Sequence, residues 1–355
     1  MIRTWLIRIL LSPFALLYGL GVWIRNGLYS AGLLKSVEFN IPVISVGNIA
    51  IGGTGKSPHI EYLIQLLGAH IRLATLSRGY GRKTRGYIAA RPSMDAATVG
   101  DEPLQFKRKF ADIPVVVSES RTFGIIRMLQ DYPDLQCILL DDAFQHRSVK
   151  PGLNIMLTAY DAAFFDDFLL PVGRLREWRR GYRRADAIIV TKCPAEWNPR
   201  MRQRMIDKIQ PQAGQQLFFS RFDYGHPYSF FNPQHRIELG SGRDWVMISA
   251  IANTDYLMQY LEGFENKYHL MAFTDHHHFT ANDISQMVQL FTQLNNREKF
   301  VLTTEKDAVR LEPHRQYLYE KRIPVFVLPV QVSFLDDDQD RFDRYIRDFL
   351  LNFKV

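Results

Sequence analysis

The sequence predicts an α/β protein with a doubly wound parallel sheet and a second, smaller α/β lobe. Three observations support this class. Short runs of Val, Ile and Leu alternate with amphipathic segments between residues 43 and 192, as is typical of strands buried on both faces of a parallel sheet. A glycine-rich turn ends the first run, and a second alternation begins at residue 245. Two separate alternations predict two lobes.

The glycine-rich turn lies within residues 43–58, VISVGNIAIGGTGKSP. It departs from the phosphate-binding pattern G-x-x-x-x-G-K-[ST] at Ala50, where the pattern has glycine. Backbone N–H groups of such a turn converge on phosphate, while Lys56 reaches the terminal phosphates and Ser57 can ligate magnesium. The turn therefore predicts a P-loop NTPase-like core that binds a nucleoside triphosphate through Ala50, Ile51, Gly52, Gly53, Thr54, Gly55, Lys56 and Ser57.

The other elements follow from the same patterns. A helix is predicted from about residue 57 to 69, a helical pattern begins at 120, and further strands begin near 71, 113, 137, 154 and 186. Between 214 and 242, aromatic and turn residues predict two strands and a linker between the lobes. The second alternation has strands near 245, 267, 299 and 323, a helix from about 281 and a closing helix at 340–353.

These elements predict three units. An N-terminal membrane-associated helix occupies residues 1–34, the P-loop core residues 35–215 and the second α/β lobe residues 216–335. The C-terminal helix, within residues 336–355, is expected to pack back on the core.

The N-terminal unit contains the apolar segment at residues 5–24, WLIRILLSPFALLYGLGVWI. As a helix it would be about 30 Å long, near the thickness of a bilayer core. Arg8, Ser12 and Pro13 interrupt it, so it predicts either a short span or a helix lying in the membrane interface. A cleaved signal peptide and a buried helix of the first lobe are the alternatives. The basic residues Arg25 and Lys35 favour a cytoplasmic location for the chain that follows.

Composition narrows the possible partners. The chain of 355 residues is 46% hydrophobic and 23% charged, as expected for a globular protein of two domains. Its formal net charge of +7 favours an anionic partner, which could be nucleic acid, an anionic membrane surface or a phosphorylated substrate. Two cysteines without metal-ligand spacing favour a reducing compartment.

The run CILLDDAFQH ends in two carboxylates, Asp141 and Asp142, at the edge where a parallel sheet binds its ligand. A carboxylate at this place binds magnesium directly or through water, although adjacent aspartates are also common in turns. Gln145 and His146 follow closely and could face the phosphates, but a lone loop histidine is more often a surface residue. The run predicts a metal site opposite the P-loop.

Two further loops offer charged groups. The GDEP sequence at 100–103 presents two carboxylates, and Asp is the usual acceptor of a hydroxyl proton in phosphoryl transfer, so Asp101 is a candidate base. A turn or helix cap is the alternative. SRGYGRKTRG places Arg78 where it could approach an anion. The most cationic stretch, 171–184, includes Arg176 and Glu177, and it either clamps a phosphorylated lipid or forms a solvated helix face.

Three consecutive histidines, His276, His277 and His278, precede a capped helix in FTDHHHFTANDI. Their spacing does not suit a zinc pair on a helix, but a histidine here could tune a catalytic aspartate. Farther on, LTTEKDAVRL has a strand followed by a polar loop, in which Lys306 and Asp307 are predicted to be exposed.

Taken together, these motifs resemble one family over nearly the whole chain, the tetraacyldisaccharide 4'-kinases, which are membrane-associated lipid A 4'-kinases of Gram-negative bacteria. The family does not hold glycine at the position of Ala50. The resemblance depends on an ordered set: the apolar N-terminal segment, VGNIAIGGTGKSP, SRGYG, GDEP, DDAFQH, a Pro-x-Gly-x-x-Arg-Glu pattern ending at Glu177, DHH at 275–277, and TTEKDAV.

The resemblance implies a reaction. ATP, with Mg2+, would phosphorylate the 4'-hydroxyl of tetraacyldisaccharide 1-phosphate and yield lipid IVA, at the cytoplasmic face of the bacterial inner membrane and against its anionic surface. Asp101 would accept the hydroxyl proton and pair with His276, while His277 and His278 stay open as alternative partners. The other implied roles are magnesium binding by Ser57, Asp142 and Glu177, proximity to the phosphates for Asp141, Gln145 and His146, and neutralisation of phosphate charge by Arg78 and Arg176.

Two other functions compete with this interpretation. A P-loop switch or assembly NTPase at the membrane would need N-K-x-D to read guanine, and Thr191-Lys192-Cys193-Pro194 lacks the Asn and the Asp. A nucleic-acid-binding module would explain the positive charge but neither GDEP nor the apolar N-terminus. We therefore expect no nucleic-acid partner.

Overall fold

The computed structural model describes residues 2–240, 242–264 and 268–354, without the side chains of residues 2–6. The description leaves out positions 1, 241, 265–267 and 355, which belong to the predicted units. It also leaves out the first side chains of the predicted apolar segment. The helices are α1 Ile2–Ser30, α2 Lys56–Gly68, α3 Ala96–Val99, α4 Asp101–Lys109, α5 Arg121–Asp131, α6 Pro199–Ile209, α7 Asp255–Leu261, α8 Ala281–Gln293, α9 Glu305–Leu311, α10 Arg315–Glu320 and α11 Asp338–Leu351.

The strands form two sheets. They are β1 Val43–Gly47, β2 Leu73–Ser77, β3 Ile88–Ala89, β4 Val115–Val117, β5 Cys137–Asp141, β6 Leu153–Ala159, β7 Ala187–Thr191, β8 Gln216–Tyr224, β9 Tyr228–Ser229, β10 Asp244–Ser249, β11 Tyr268–Ala272, β12 Lys299–Thr304, β13 Val325–Leu328 and β14 Val330–Phe334. The first sheet has the order β14-β8-β7-β6-β1-β5-β2-β4-β3, and the second has the order β11-β10-β12-β13-β9.

The first sheet is parallel except at its edge strands β3 and β14. Every residue of β1, β5 and β7 is buried, which is why these strands are continuous apolar runs in the sequence. β1 lies between β5 and β6, and Val46 pairs with Asp141. The carboxyl ends of β1 and β5 therefore open side by side at the point where the strand order reverses, the usual ligand site of this class. The predicted α/β fold is confirmed.

The boundary predicted between residues 215 and 216 is wrong. β8 pairs in parallel with β7, and β14 pairs with β8, so both strands belong to the first sheet. The chain crosses to the second lobe after Tyr224 and returns at Val330, while α11 buries Phe342 and Ile346 in the first lobe. The aromatic sequence of β8 marks a strand but does not indicate which sheet accepts its hydrogen bonds.

Helix α1 is longer than the predicted segment and contains Pro13. Only 11% of its apolar stretch is buried against the rest of the protein. This low burial contradicts the alternative of a buried core helix. By length and composition α1 can enter a membrane, and its large exposed side chains include Ile7, Ile9, Leu10, Phe14, Leu16, Leu17, Leu20, Trp23 and Ile24.

Candidate active site

The two lobes enclose a cleft of about 520 Å³. The first lobe contributes residues 51–58 of the glycine-rich loop, and the second lobe contributes His276. A second cavity of about 430 Å³ shares Tyr80, Glu102, Asp142 and Arg176 with the cleft. The second cavity is lined by the predicted residues Arg78, Asp141, Gln145, His146 and Glu177, together with Tyr18, Val22, Arg25 and Asn26 of α1. The predicted residues Ala50 and Asp101 line neither cavity. Motifs that are distant in sequence thus border two connected cavities.

The glycine-rich loop has the geometry of a phosphate cradle. Gly52 and Gly55 adopt φ values of 114° and 85°, where a side chain would be strained. Ala50 instead forms an antiparallel bridge with Leu175, an extended conformation that needs no glycine. Its departure from the strict pattern is therefore without structural consequence. Helix α2 begins at Lys56, and its first turn lines the cleft, which is where the free N–H groups of a helix start bind anions.

We predict that Gly55→Ala weakens ATP binding about tenfold or more. A Cβ at this position would lie 2.4 Å from Phe222 Cζ in a backbone conformation that already disfavours a side chain. Gly214→Ala is the matched control, because Gly214 has nearly the same φ of 87° with nothing within 4 Å of a new Cβ. ATP titration and thermal unfolding of both variants measure the difference. Equal effects of the two substitutions would show that only backbone strain matters.

The two carboxylates at the end of β5, Asp141 and Asp142, have pKa values shifted in opposite directions. Burial, Glu102 and Asp142 raise the pKa of Asp141 to about 8. Burial would also raise the pKa of Asp142, but Lys56 and Arg176 lower it below its ordinary value. Lys56 Nζ lies 3.8 Å from Asp142 Oδ1, and Arg176 Nη1 donates to the same oxygen at 2.9 Å. Asp142 is therefore the carboxylate that stays ionised at neutral pH.

These groups fit a magnesium ion. Asp141 Oδ1 is buried without a hydrogen-bond partner among the described residues, an oxygen whose cost of burial a cation would offset. Among the residues that the structure describes, no group of three or more His, Cys, Asp or Glu side chains is arranged to hold a metal ion. Mg2+ usually takes one or two carboxylates and completes its shell with water and phosphate oxygens. Asp142 and the Ser57 hydroxyl at the start of α2 match that pattern.

The prediction that Glu177 ligates magnesium does not match its surroundings. Glu177 is buried, and its two oxygens accept hydrogen bonds from Arg184 at 2.7 and 2.9 Å. Gln145 Nε2 donates to Glu177 Oε1 at 2.9 Å and to the Asn48 carbonyl at 2.7 Å. The carboxylate is thus saturated by protein donors and orients Gln145. The sequence does not reveal the contact between Arg184 and Glu177, because it depends on the 3-10 helix Arg179–Arg184, which brings Arg184 back to Glu177.

Asp101 lies at the start of α4, so GDEP is a helix N-terminus and not a loop. Its Oδ2 accepts hydrogen bonds from Arg310 Nε at 2.8 Å and Nη2 at 2.6 Å, and His276 Nδ1 lies 3.3 Å away. Burial alone would raise the pKa of Asp101, but the His276 and Arg310 interactions hold it at about 2. Asp101 is therefore an ionised acceptor throughout the neutral range.

The histidine triplet divides its contacts. His276, with a φ of 61°, faces Asp101, and its ring lies 4.9 Å from that of Tyr80. His277 Nε2 instead lies 2.9 Å from Asp283 Oδ2 at the cap of α8. In the second cavity, burial and Arg121 lower the pKa of His146 to about 4, so this histidine is neutral at physiological pH.

Sequence reasoning missed the residues that surround Asp101. Arg310 is completely buried and also donates to Asp307 Oδ1 at 2.9 Å. Asp307 is itself fully buried, and Lys306 contacts Glu102 at 3.3 Å, so the prediction that these two residues are exposed is wrong. The missed signal is the i,i+3 spacing of Asp307 and Arg310 in a helical sequence, because that spacing places the two charges on one face.

Helix α1 contacts the same region. Tyr18 Oη donates to the Arg176 carbonyl at 2.8 Å, and Trp178 Nε1 donates to the Gly19 carbonyl at 2.8 Å. Asn26 Nδ2 donates to Glu177 Oε2 at 3.3 Å. The apolar helix therefore forms one wall of the second cavity.

Comparison with known proteins agrees with this geometry. The sequence model of the LpxK family, tetraacyldisaccharide-1-P 4'-kinase, matches residues 7–350. Relatives named tetraacyldisaccharide 4'-kinase include one from Bacteroides fragilis, 43% identical over 95% of this chain and 91% of the relative, and one from Flavobacterium johnsoniae, 40% identical over 97% and 98%.

A solved structure is also similar. The crystal structure of LpxK from Aquifex aeolicus in complex with ATP has a TM-score of 0.75 and 27% identity over 97% of this chain and 99% of that chain. The family match and the relatives each span nearly the whole chain. The chain therefore belongs to the tetraacyldisaccharide 4'-kinase family.

Proposed function

We propose that this protein transfers the γ-phosphate of ATP to the 4'-hydroxyl of tetraacyldisaccharide 1-phosphate and so forms lipid IVA in lipid A biosynthesis. One observation supports this function above all. The phosphate-binding loop of the first lobe and His276 of the second lobe line one cleft, and His276 lies 3.3 Å from Asp101 Oδ2, so a donor phosphate and a proton acceptor lie close together. A switch NTPase has no need of such a pair.

The donor half of the cleft holds ATP. The loop N–H groups and Lys56 cradle its phosphates, and Ser57 and Asp142 would hold Mg2+. When bound, Mg2+ neutralises charge that develops on the transferred phosphoryl group. Arg176, which reaches Asp142 and lines both cavities, adds a cation beside it. Asp141, which precedes Asp142 and also lines the second cavity, would face the same cation through its unpartnered Oδ1.

Asp101 accepts the hydroxyl proton, and His276 and Arg310 orient it. A carboxylate with a pKa of about 2 is a weak base. Phosphoryl transfer passes through a loose transition state in which the nucleophile needs little activation. Correct placement of the acceptor therefore matters more than its basicity, and two fixed hydrogen-bond donors provide that placement.

The second cavity accepts the lipid headgroup. Arg78, Gln145 and His146 line it, and the apolar helix α1 forms its wall. Removal of acyl chains from a bilayer costs about 0.8 kcal/mol per methylene, so the substrate stays in the membrane and the enzyme must reach it. We infer that α1 enters the cytoplasmic face of the inner membrane. The net charge of +7 favours its anionic surface.

A transfer assay tests this function. The protein, in detergent micelles, is given ATP labelled in the γ-phosphate and purified tetraacyldisaccharide 1-phosphate, with the 4'-deoxy disaccharide as control. We expect label in the first lipid and none in the second. A folded protein that binds ATP but labels neither lipid would contradict the proposal.

A further inference from the structure

At the wall of the cleft, which Glu305 helps to line, the ammonium group of Lys109 joins three helices. Lys109 Nζ donates to Glu61 Oε2 at 2.6 Å and to Glu305 Oε1 at 2.7 Å. Glu61 belongs to α2, Lys109 to α4 and Glu305 to α9 of the second lobe. The two carboxylates are 3% and 7% exposed. The proposed mechanism uses none of these three residues.

The same three helices bear the proposed chemistry. α2 begins at Lys56 in the P-loop, α4 begins at Asp101, and α9 carries Arg310, which donates to Asp101. Lys109 is the last residue of α4, about 12 Å along the helix from Asp101. Gln105, one turn before Lys109, donates to Glu61 Oε1 at 2.8 Å. The cluster therefore connects the nucleotide site, the base and the residue that holds the base.

The charges of the cluster make the cation necessary. Glu61 and Glu305 approach each other in a buried seam, and burial together with Glu305 raises the pKa of Glu61 to about 7. Lys109 offsets their repulsion and binds one carboxylate from each lobe. Without it, the pKa of Glu61 would rise further and Glu61 would take up a proton, so the ionic link from Glu61 through Lys109 to Glu305 would be lost.

We propose that Lys109 is a positioning residue, which ties the lobes together so that Asp101 stays aligned with the phosphate held by the P-loop. This inference rests on the proposed kinase function. A misplacement of about 1 Å, even when caused far from the reacting atoms, can lower a rate about 100-fold. Loss of Lys109 should therefore reduce turnover more than it reduces ATP binding, because the loop itself is built within the first lobe.

Three variants of the full-length protein test the inference. Lys109→Met removes the cation. Glu305→Gln removes the carboxylate of the second lobe and leaves Glu61 and Lys109 as a balanced pair, so it should fold even where the first variant does not. Lys107→Met is the matched control, because Lys107 Nζ, on the same helix, donates only to the Ala111 and Ile113 carbonyls of the first lobe, at 2.5 and 3.0 Å, among its described contacts.

The readouts are ATP affinity, the number of ATP sites per molecule and kcat per ATP site. For Lys109→Met and Glu305→Gln we expect kcat per site to fall about 10- to 100-fold while Kd for ATP stays within about threefold. Lys107→Met should keep the wild-type kcat per site. A purely structural role would lower the number of ATP sites and the melting temperature but not kcat per site.

Two results would overturn the inference. One is wild-type kcat per site in Glu305→Gln, and the other is an equal loss in Lys107→Met. A wild-type protein that binds ATP but transfers no phosphate would instead contradict the proposed function, and the inference with it. If the wild type transfers phosphate and Lys109→Met and Glu305→Gln have the same kcat per site as the wild type, only this inference fails and the proposed function stands.

Discussion

Asp101→Asn is expected to lower kcat about 100- to 10,000-fold while ATP still binds, because the variant keeps the shape of the side chain and loses the proton acceptor. Among the described carboxylates, only Asp101 contacts both Arg310 and His276. The P-loop joins β1 to α2, whereas Asp101 begins α4, so the substitution leaves the phosphate-binding loop intact. Transfer of labelled phosphate and ATP titration measure the two effects separately.

Asp95→Asn is the matched control for this change. Asp95 is an exposed carboxylate six residues earlier, where it caps α3 by accepting a hydrogen bond from the Thr98 N–H. Asparagine caps a helix equally well, so activity should persist. If Asp101→Asn abolished ATP binding in a folded protein, Asp101 would have a structural role. A kcat within tenfold of the wild type would exclude it as the base.

The same substitution should also affect stability. The pKa of Asp101 is lowered from 3.8 to about 2, so its ionised form contributes stability that is present above about pH 4 and is lost as the pH falls toward 2. At neutral pH the variant should therefore lose about 2 kcal/mol of unfolding free energy, because Arg310 loses one of its two carboxylate partners and keeps only Asp307. Thermal unfolding at pH 7 compares this loss with that of Asp95→Asn.

Lys56→Met is expected to lower kcat about 100- to 1,000-fold and to weaken binding of MgATP. The ammonium of Lys56 lines the cleft at the first residue of α2 and is the group that reaches the terminal phosphates. Methionine fills the same volume without charge. Steady-state transfer at several ATP concentrations separates the change in kcat from the change in KM.

Lys150→Met provides the comparison for Lys56. Lys150 forms an ion pair with Glu38 at 3.0 Å, and both side chains are more than 60% exposed. Such surface pairs contribute little to stability, so this variant should resemble the wild type in both activity and melting temperature. Wild-type kcat/KM in Lys56→Met would contradict the P-loop role.

The sequence by itself determined the fold class, the position of the P-loop and the family. These features depend on local patterns. A parallel strand buried on both faces must be a continuous apolar run, and a loop that cradles phosphate must contain glycine and be followed by Lys and Ser or Thr. The helices agree to within a few residues, since α2 spans Lys56–Gly68 and α11 spans Asp338–Leu351, close to the predicted 57–69 and 340–353.

Only the tertiary structure decided the pairings. It assigned β8 to the first sheet, joined Glu177 to Arg184, and brought Arg310 to Asp101 across 209 residues of sequence. It also selected His276 from three adjacent histidines, because the backbone at each position fixes where that side chain points. A charge has the same letter in the sequence whether it is solvated or buried beside a partner, and its partner is set by long-range packing that no local pattern records.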